Sequence, residues 1–443
     1  MVDAVNDFGL STGSMRSPDA ADIPGASLSV YDGTSFVYVQ ESDSLSWWES
    51  ASALWKWGFL APYRTKRLMK TVTGRFDKMY DEPYFPFASL TQTATELDLL
   101  DVTASTGEQY ISDNGITGAF GHDVIQASTR ANADPVDRTQ VNYAQNLRYI
   151  NGLLAMVCMA TDGAMSVENG NWQIFDEMIK AANATPLLGT AVTSIDQQSN
   201  GQYCLQHSCT AETSSTDSVR SDTFDAVVLA APYQFTNITL DAAIEHVPSK
   251  IPYVELHVTL LTSPHLLSPA FFDMPPGKAA PKVILTTLPP NEEPQEGVAG
   301  VGSPGFFSIS LLAPVTNPKT GGEEYLYKIF SPEPPNSTFL AHLLGFRKLN
   351  HHDQDDISEK DITWIYRKVW NSYPYELPRS AFEEIQLDGH GGGLWYTSAM
   401  DGFISTMETN ALSGKNVARL MVDRWQQKLL NGSTAGQQSD GLM

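Results

Sequence analysis

The segment from Leu394 to Ala418 constrains this chain more than any other. An apolar run, Leu394 to Met400, meets an acid at Asp401 and then Gly402. A helical pattern follows, Phe403 to Leu430, carrying the small residues Ala411, Ser413, Gly414 and Ala418. A short, mostly apolar run reads as a strand and the longer periodic stretch as a helix. A carboxylate at such a strand end can accept hydrogen bonds from ligand hydroxyls. The helix start beside it presents amides without intrahelical partners and a positive partial charge, which suits an anion. A second segment, Asp225-Ala226-Val227-Val228-Leu229-Ala230-Ala231-Pro232, reads as a buried strand. Its small residues and proline let a ligand come close to the backbone. Many buried strands look like this one, so the weight rests on the pair.

The chain has 443 residues, room for two or three cores at ~150 residues each. Its 28 Lys and Arg against 51 Asp and Glu leave a net charge of −23. That surface repels phosphate backbones and anionic lipid headgroups, so nucleic-acid binding is set aside. The nearest basic cluster, Arg64, Lys66, Arg67 and Lys70, has the spacing of one solvated helix face. No stretch reaches the ~18 consecutive apolar residues of a membrane span; Tyr149 to Met165 is broken by Asn151, Gly152 and Thr161. The first residues, Met1 to Ser11, have neither the basic region nor the apolar core of a signal peptide. Three cysteines, Cys158, Cys204 and Cys209, allow one internal disulfide at most and fit no zinc spacing. On a strand, Cys204 and Cys209 face opposite sides, so no pairing between them is expected. Four Asn-x-Ser/Thr acceptors occur, at Asn183, Asn237, Asn336 and Asn431. They are read as glycosylation candidates and as a pointer to the secretory pathway, although such triplets also arise by chance.

Along the chain, residues 1–25 and 431–443 are expected to be poorly ordered. Ser27 to Gln40 reads as a hairpin turning at Asp32-Gly33. Trp48, Ala51, Trp55 and Phe59 share one helical stripe, and Leu68, Val72, Phe76 and Met79 another. Ser105 to Glu108 has the pattern of a capping box for the following helix. Helices are expected to continue to about Ala160, and Trp172 to Ala182 is one more. Ala191 to Ile195, Tyr203 to Gln206 and Phe224 to Ala230 read as strands, and Tyr253 to Leu312 is strand-rich. Phe339 to Leu349 and Ile362 to Trp370 are expected to be helical, the latter capped by Ser358 or Asp361.

Several motifs mislead. Gly9 to Gly13 matches G-x-S-x-G, but it lacks the buried strand and helix of a nucleophile elbow. Gly300 to Gly305 matches G-x-G-x-x-G. A strand pattern follows it where a dinucleotide motif needs a helix, so it reads as a loop. His351 and His352 with Asp353, Asp355 and Asp356 form a solvated charge run, and no metal site is expected. His390 lies in a glycine-rich turn.

At the two strand segments the chain resembles the prenylcysteine oxidases, or prenylcysteine lyases, within the larger group of FAD-dependent amine-oxidase-like proteins. Val141-Asn142-Tyr143-Ala144-Gln145, Ser166 to Asn171, Asn237-Ile238-Thr239 and Lys328 to Ser331 add to the resemblance, in the family's order, over 26–425. It implies an α/β plus α+β fold: an FAD-binding domain of glutathione-reductase type, interleaved with a substrate domain of antiparallel sheet and helices. Residues 26–165 would be the helical substrate part, 166–235 cofactor-binding, 236–384 substrate sheet and helices, and 385–430 the closing cofactor strand and helix. The family opens on a strand and a G-x-G-x-x-G turn. Neither precedes Ser27 here, so the chain reads as lacking that head and its signal peptide.

The resemblance also assigns roles. Val192 begins the segment on the adenine side, Ala231 lies near the cofactor, and Asp401 binds the ribityl chain. Thr406, Met407 and Glu408 offer backbone amides to the flavin pyrimidine edge. For Glu408, a plain first-turn acid matching the helix dipole is an equal reading. Asn142, Tyr143 and Gln145 are candidates for the flavin or substrate face, with structural hydrogen bonding as an equal reading. The implied reaction splits a farnesyl- or geranylgeranyl-cysteine thioether into a prenyl aldehyde, cysteine and, with O2, hydrogen peroxide. No catalytic base is named, since flavin N5 takes the hydride. Localisation would be lysosomal, vacuolar or extracellular. An isoprenoid tail needs an apolar channel. Trp47, Trp48, Trp55, Trp57, Phe59, Phe76, Tyr80, Tyr84, Phe85 and Phe87 are available for it, with ordinary core packing the commoner use.

Overall fold

A seven-stranded mixed sheet forms the largest element, in the order β14-β10-β13-β12-β11-β2-β3. The strands are β2 (Leu28–Tyr31), β3 (Phe36–Gln40), β10 (Tyr253–Ser263), β11 (Val283–Thr286), β12 (Ser308–Thr316), β13 (Glu323–Ser331) and β14 (Trp364–Pro374). All neighbours are antiparallel except β2 and β11. The computed structural model describes residues 1–13, 23–40, 57–116, 118–131, 143–160, 166–209, 219–346, 357–389 and 392–439. The expected hairpin is present: β2 and β3 pair around a turn in which Asp32 Oδ1 accepts from the amides of Thr34 and Ser35. Trp47, Trp48, Ala51, Trp55, Asn142, His351, His352 and His390 lie outside the described residues.

Two expectations fail instructively. Ile362 to Trp370 is not a helix. It belongs to β14, an edge strand of eleven residues paired with β10 from Thr262↔Trp364 to Tyr253↔Pro374. Its aromatic and β-branched residues fit a pleated surface better than a helix. Pro374 ends the strand, where a missing amide costs least. Ser358 accepts backbone bonds from Asp361 and Ile362 as a turn, and Asp361 instead pairs with His265 at 2.8 Å. The second failure is the N-terminus. Residues 1–13 are ordered, as helix α1 (Val2–Asp7) and strand β1 (Thr12–Gly13). β1 pairs with β4 (Ser166–Val167), and Val5 packs with Val167 and Ile174. A short apolar cluster and a partner strand distant in sequence supply the order that composition does not reveal.

The helical part follows the second predicted stripe; the first lies outside the described residues except for Phe59, which is exposed. Helix α2 (Leu60–Phe76) carries buried Val72 and Phe76, and Met79 follows fully buried. Each such side chain stabilises by about 1.5–3 kcal/mol relative to exposure. α3 (Leu90–Glu96), α4 (Leu100–Ala104) and α5 (Gly107–Asp113) follow. The α5 cap is Thr106, whose hydroxyl accepts from the Gln109 amide at 3.1 Å, one residue later than the predicted box. α6 (Gln126–Arg130) and α7 (Gly152–Val157) complete the core of this part. α8 (Trp172–Ala181) leads into a four-stranded sheet, β7-β6-β5-β9. Its members are β5 (Thr190–Gln197), β6 (Tyr203–Cys209), β7 (Arg220–Phe224) and β9 (Thr239–Leu240). Cys158 and Cys204 are free thiols. α9 (Ser337–Leu344) is capped by Asn336. The last helix, α10 (Met407–Ser439), runs nine residues beyond the expected Leu430 end, into the stretch read as a polar tail. It starts four residues after Phe403, because Phe403 and Ile404 are buried in the turn before it.

Candidate active site

Strands β8 (Val227–Leu229) and β15 (Leu394–Tyr396) lie side by side and parallel, with Val227↔Leu394, Val228↔Trp395 and Leu229↔Tyr396 in register. Their carboxyl ends open on one crevice, the usual place for a ligand in parallel sheets. All three β15 residues are buried, whereas on β8 only Leu229 is, and Val228 is 40% exposed. The strand expected to be buried is therefore half open, because β15 is its sole strand partner among the described residues. The approach before β15 is tight: a side chain at Gly393 would put Cβ 2.9 Å from the Asp225 carbonyl.

Asp401 lies in the turn Thr397–Gly402 after β15 and is 5% exposed. The Tyr253 hydroxyl donates to its Oδ2 at 3.2 Å. Burial raises the Asp401 pKa, while hydrogen bonding from Tyr253, Asn410, Ser398 and Ser405 pulls it back. Thr406 and Thr409 then cap α10 reciprocally. The Thr406 amide donates to Thr409 Oγ1 at 3.0 Å, and the Thr409 amide to Thr406 Oγ1 at 3.1 Å. The Thr406 amide is thus engaged inside the protein rather than offered outward. Met407 is exposed. The Glu408 carboxylate meets the Met1 ammonium at 2.6 Å and the Tyr80 hydroxyl at 3.0 Å. Asn416, two turns on, exchanges hydrogen bonds with both backbone groups of Phe87, each at 2.8 Å, and fastens α10 to the helical part. Of the remaining candidates, Ala231 is exposed just past β8, and Val192 sits half-buried on β5 opposite His207.

Tyr143 and Gln145 come to the same place from the helical part. Both are buried, and Ala144 between them has φ +51°, a left-handed conformation uncommon for alanine. The Tyr143 hydroxyl donates to the Ser405 carbonyl at 3.1 Å, and its ring meets Tyr373 edge-on at 5.4 Å. Gln145 Oε1 accepts from the Glu376 amide at 2.7 Å. Sequence reading missed Glu376, which is 0% exposed. Burial raises its carboxyl pKa well above the ordinary 4.5; nearby Arg379 lowers it and Asp401 raises it further. The Ser405 peptide also draws it down, although no donor completes a hydrogen bond to either oxygen. The available signal was the acid in Tyr373-Pro374-Tyr375-Glu376-Leu377-Pro378, an apolar run bracketed by prolines. Cys158, also fully buried, has its thiol pKa raised by burial and by Glu376.

The crevice is lined by Pro232, Tyr253, Arg379, Tyr396, Ser398 and Gly402, among others, and holds about 30 Å³ of space. Asp401 as acceptor and the α10 start as electropositive end are the chemistry that a ribityl chain and an electron-rich ring edge require. A ring-sized ligand needs several hundred Å³, so lining side chains have to move before one is enclosed. An apolar pocket of about 150 Å³ lies elsewhere, lined by Ile23, Leu266, Leu267 and Leu311, among others, and among the described residues none of the aromatics proposed for a tail channel borders it. Phe76 and Phe87 are core residues and Phe59 is 65% exposed.

Comparison with known proteins adds the family. The chain matches the prenylcysteine lyase family over residues 40–432. Farnesylcysteine lyase of Arabidopsis thaliana is 29% identical over 312 residues, 69% of this chain and 52% of that protein. Prenylcysteine oxidase 1 of Rattus norvegicus is 24% identical over 422 residues, 90% of this chain and 73% of the relative. Prenylcysteine oxidase 1 of Bos taurus is 25% identical over 452 residues, 97% of this chain and 76% of the relative. The chain thus spans about half the length of the plant protein and about three quarters of the mammalian ones. With the match extending over nearly all of its length, this chain belongs to the prenylcysteine lyase family.

Proposed function

We propose that this chain serves the FAD-dependent cleavage of a prenylcysteine thioether to a prenyl aldehyde, cysteine and hydrogen peroxide. The observation that carries the reading is the convergence of Asp401, the α10 start and the carboxyl ends of two parallel strands in a chain of this family. FAD, when bound, supplies the hydride acceptor and the route to oxygen. Asp401 would accept from a ribityl hydroxyl. The Met407 and Glu408 amides would face the pyrimidine edge, with Val192 toward the adenine side and Ala231 beside the cofactor. Tyr143, Gln145 and Asn142 stand as the substrate or flavin face. What supports an interleaved division into 26–165, 166–235, 236–384 and 385–430 is the pairing of β8 with β15. What supports secretory routing is the exposure of Asn183, Asn237 and Asn336. Asn431, the fourth candidate acceptor, lies within α10. No helix among the described residues is long and apolar enough to cross a membrane.

The narrow crevice favours one rival, a flavin-free glycoprotein that keeps the fold. A visible spectrum separates the two. Purified protein should take up FAD with a flavin absorption band, rise in melting temperature with added FAD, and produce peroxide from farnesylcysteine. A colourless, folded protein that FAD does not stabilise sinks the oxidase reading for this chain. A flavin band with turnover of simple amines, and none of farnesylcysteine, would point to another flavin oxidase instead.

A further inference from the structure

The crevice wall carries a cation and an anion that do not pair with each other. Arg379 and Glu383 both line it. Among the described residues the Arg379 side chain makes no hydrogen bond and no ion pair, and its Nε is buried without a partner. A side chain at Gly402, another lining residue, would put Cβ 3.4 Å from Arg379 Nη1, so the guanidinium end stands at the crevice wall. The Arg379 backbone is fixed separately: its amide donates to the Thr103 carbonyl at 2.8 Å, and its carbonyl accepts from the Thr103 hydroxyl at 2.9 Å. Glu376 also senses Arg379, but burial pushes that carboxyl toward its neutral form. Glu383 accepts from the Ser249 amide at 3.3 Å through Oε2, which leaves Oε1 able to accept from a ligand.

These charges select the ligand. A lone anion would be drawn to Arg379 but repelled by Glu383 and by a chain of net charge −23. A lone cation would be repelled by Arg379. A molecule that carries both charges a few ångströms apart satisfies both, and the head of an α-amino acid is such a molecule. A guanidinium takes a carboxylate through two parallel N–H donors. Tyr396 supplies a further donor. Its oxygen accepts from the Tyr233 amide at 3.3 Å, and its own proton has no acceptor among the described residues. Burial, with Asp401 and Glu383 adding to it, raises the Tyr396 pKa to about 12, so the hydroxyl keeps that proton at neutral pH. Size agrees. The space of about 30 Å³ compares with about 10–15 Å³ for one enclosed water, so two carboxylate oxygens fill it. The rest of such a ligand projects out of the crevice.

We propose that this crevice binds the zwitterionic head of an α-amino acid, with Arg379 and Tyr396 on the carboxylate and Glu383 on the ammonium. The proposal deepens the prenylcysteine reading above and rests on it for the identity of the side chain: the amino acid is the cysteine half of the thioether. None of the residues assigned to the cofactor (Val192, Ala231, Asp401, Thr406, Met407 and Glu408) lines the crevice, so the head takes space that the cofactor reading leaves unused. Arg379, Tyr396 and Glu383 are then specificity residues. They admit a free amino acid and disfavour its ester, its N-acylated form and the same residue still inside a peptide, because each of these leaves one charged wall residue unmatched.

The test uses the full chain without added FAD. Ligand-observed NMR follows the binding of S-methyl-L-cysteine, its methyl ester and its N-acetyl derivative. The free amino acid should bind, and each derivative should bind about tenfold more weakly or worse. In Arg379→Gln the acid and its methyl ester should bind alike; in Glu383→Gln the acid and its N-acetyl derivative should bind alike. Circular dichroism checks that both variants fold, and the three ligands on the wild type decide the matter if either does not. Equal binding of all three ligands by the wild type, or binding of none, overturns the site. Peroxide production from farnesylcysteine by the FAD-loaded protein tests the prenylcysteine reading separately. Where there is turnover, both variants should raise KM about tenfold with a smaller change in kcat, and an unchanged KM in both overturns the site. Binding of the free amino acid without any turnover of farnesylcysteine keeps the site and rejects the prenylcysteine reading.

Discussion

Replacing Glu376 with Gln should change how the protein's stability depends on pH. The side chain keeps its shape and loses its charge. In the folded state this carboxyl has its pKa raised well above 4.5, because burial opposes the ionised form. A raised acid pKa means that the native state binds the proton more tightly than the unfolded chain. The stabilisation is fully present below the unfolded value and is lost as pH rises through the folded one. Within that window each pH unit costs the wild type about 1.4 kcal/mol relative to a residue that does not titrate. The groups facing the carboxyl modify the window without reversing it: Arg379 lowers the pKa, and Asp401 raises it. Asp401 has a raised pKa of the same sign and remains in both proteins; because the two acids interact, the difference between the curves reports the pair, with the same sign. The assay is urea unfolding of wild type and Glu376→Gln from acid to neutral pH. Ionic strength is held fixed, because a net charge of −23 makes screening matter. The variant should gain on the wild type by about 1.4 kcal/mol per unit above pH 4.5, at unchanged slope in urea. Two parallel curves would refute the reasoning, since Glu376 would then ionise as freely when folded as when unfolded.

Other substitutions probe the frame of the site. Asn416→Ala removes both hydrogen bonds to the Phe87 backbone and should cost about 2–4 kcal/mol in denaturant unfolding. Arg130 is 0% exposed and donates to the Gly300 and Val301 carbonyls, to Asn146 and to Thr286. Arg130→Met should therefore lose about 3 kcal/mol or more, read from the same unfolding curves, because it leaves those acceptors unpaired. On the proposed function, Asp401→Asn should weaken FAD binding about tenfold or more, about 1.4 kcal/mol, measured by flavin fluorescence, while the fold's circular dichroism is unchanged. Glu408→Gln breaks an ion pair whose acid is 48% exposed, and thermal denaturation should shift little.

The sequence by itself determined the local pieces. The Asp32-Gly33 hairpin, the α2 stripe and the apolar run leading to Asp401 and a helix are all legible from period and turn chemistry. The G-x-G-x-x-G match at Gly300 was legible as a loop for the same reason, since β12, a strand, follows it. Where local signal is ambiguous, reading failed. Ile362 to Trp370 satisfies helical and strand patterns alike, and only the partner strand β10, roughly a hundred residues away, decides for β14. Residues 1–13 looked too polar to order until β4 supplied a ladder. Glu376 shows the limit most clearly. Its identity is visible in the sequence, but its complete burial, its neighbours Gln145 and Asp401 and its raised pKa come from segments far apart in the chain. Burial and electrostatic environment depend on everything packed around a group, so only the tertiary structure could turn an ordinary glutamate into one that resists ionisation.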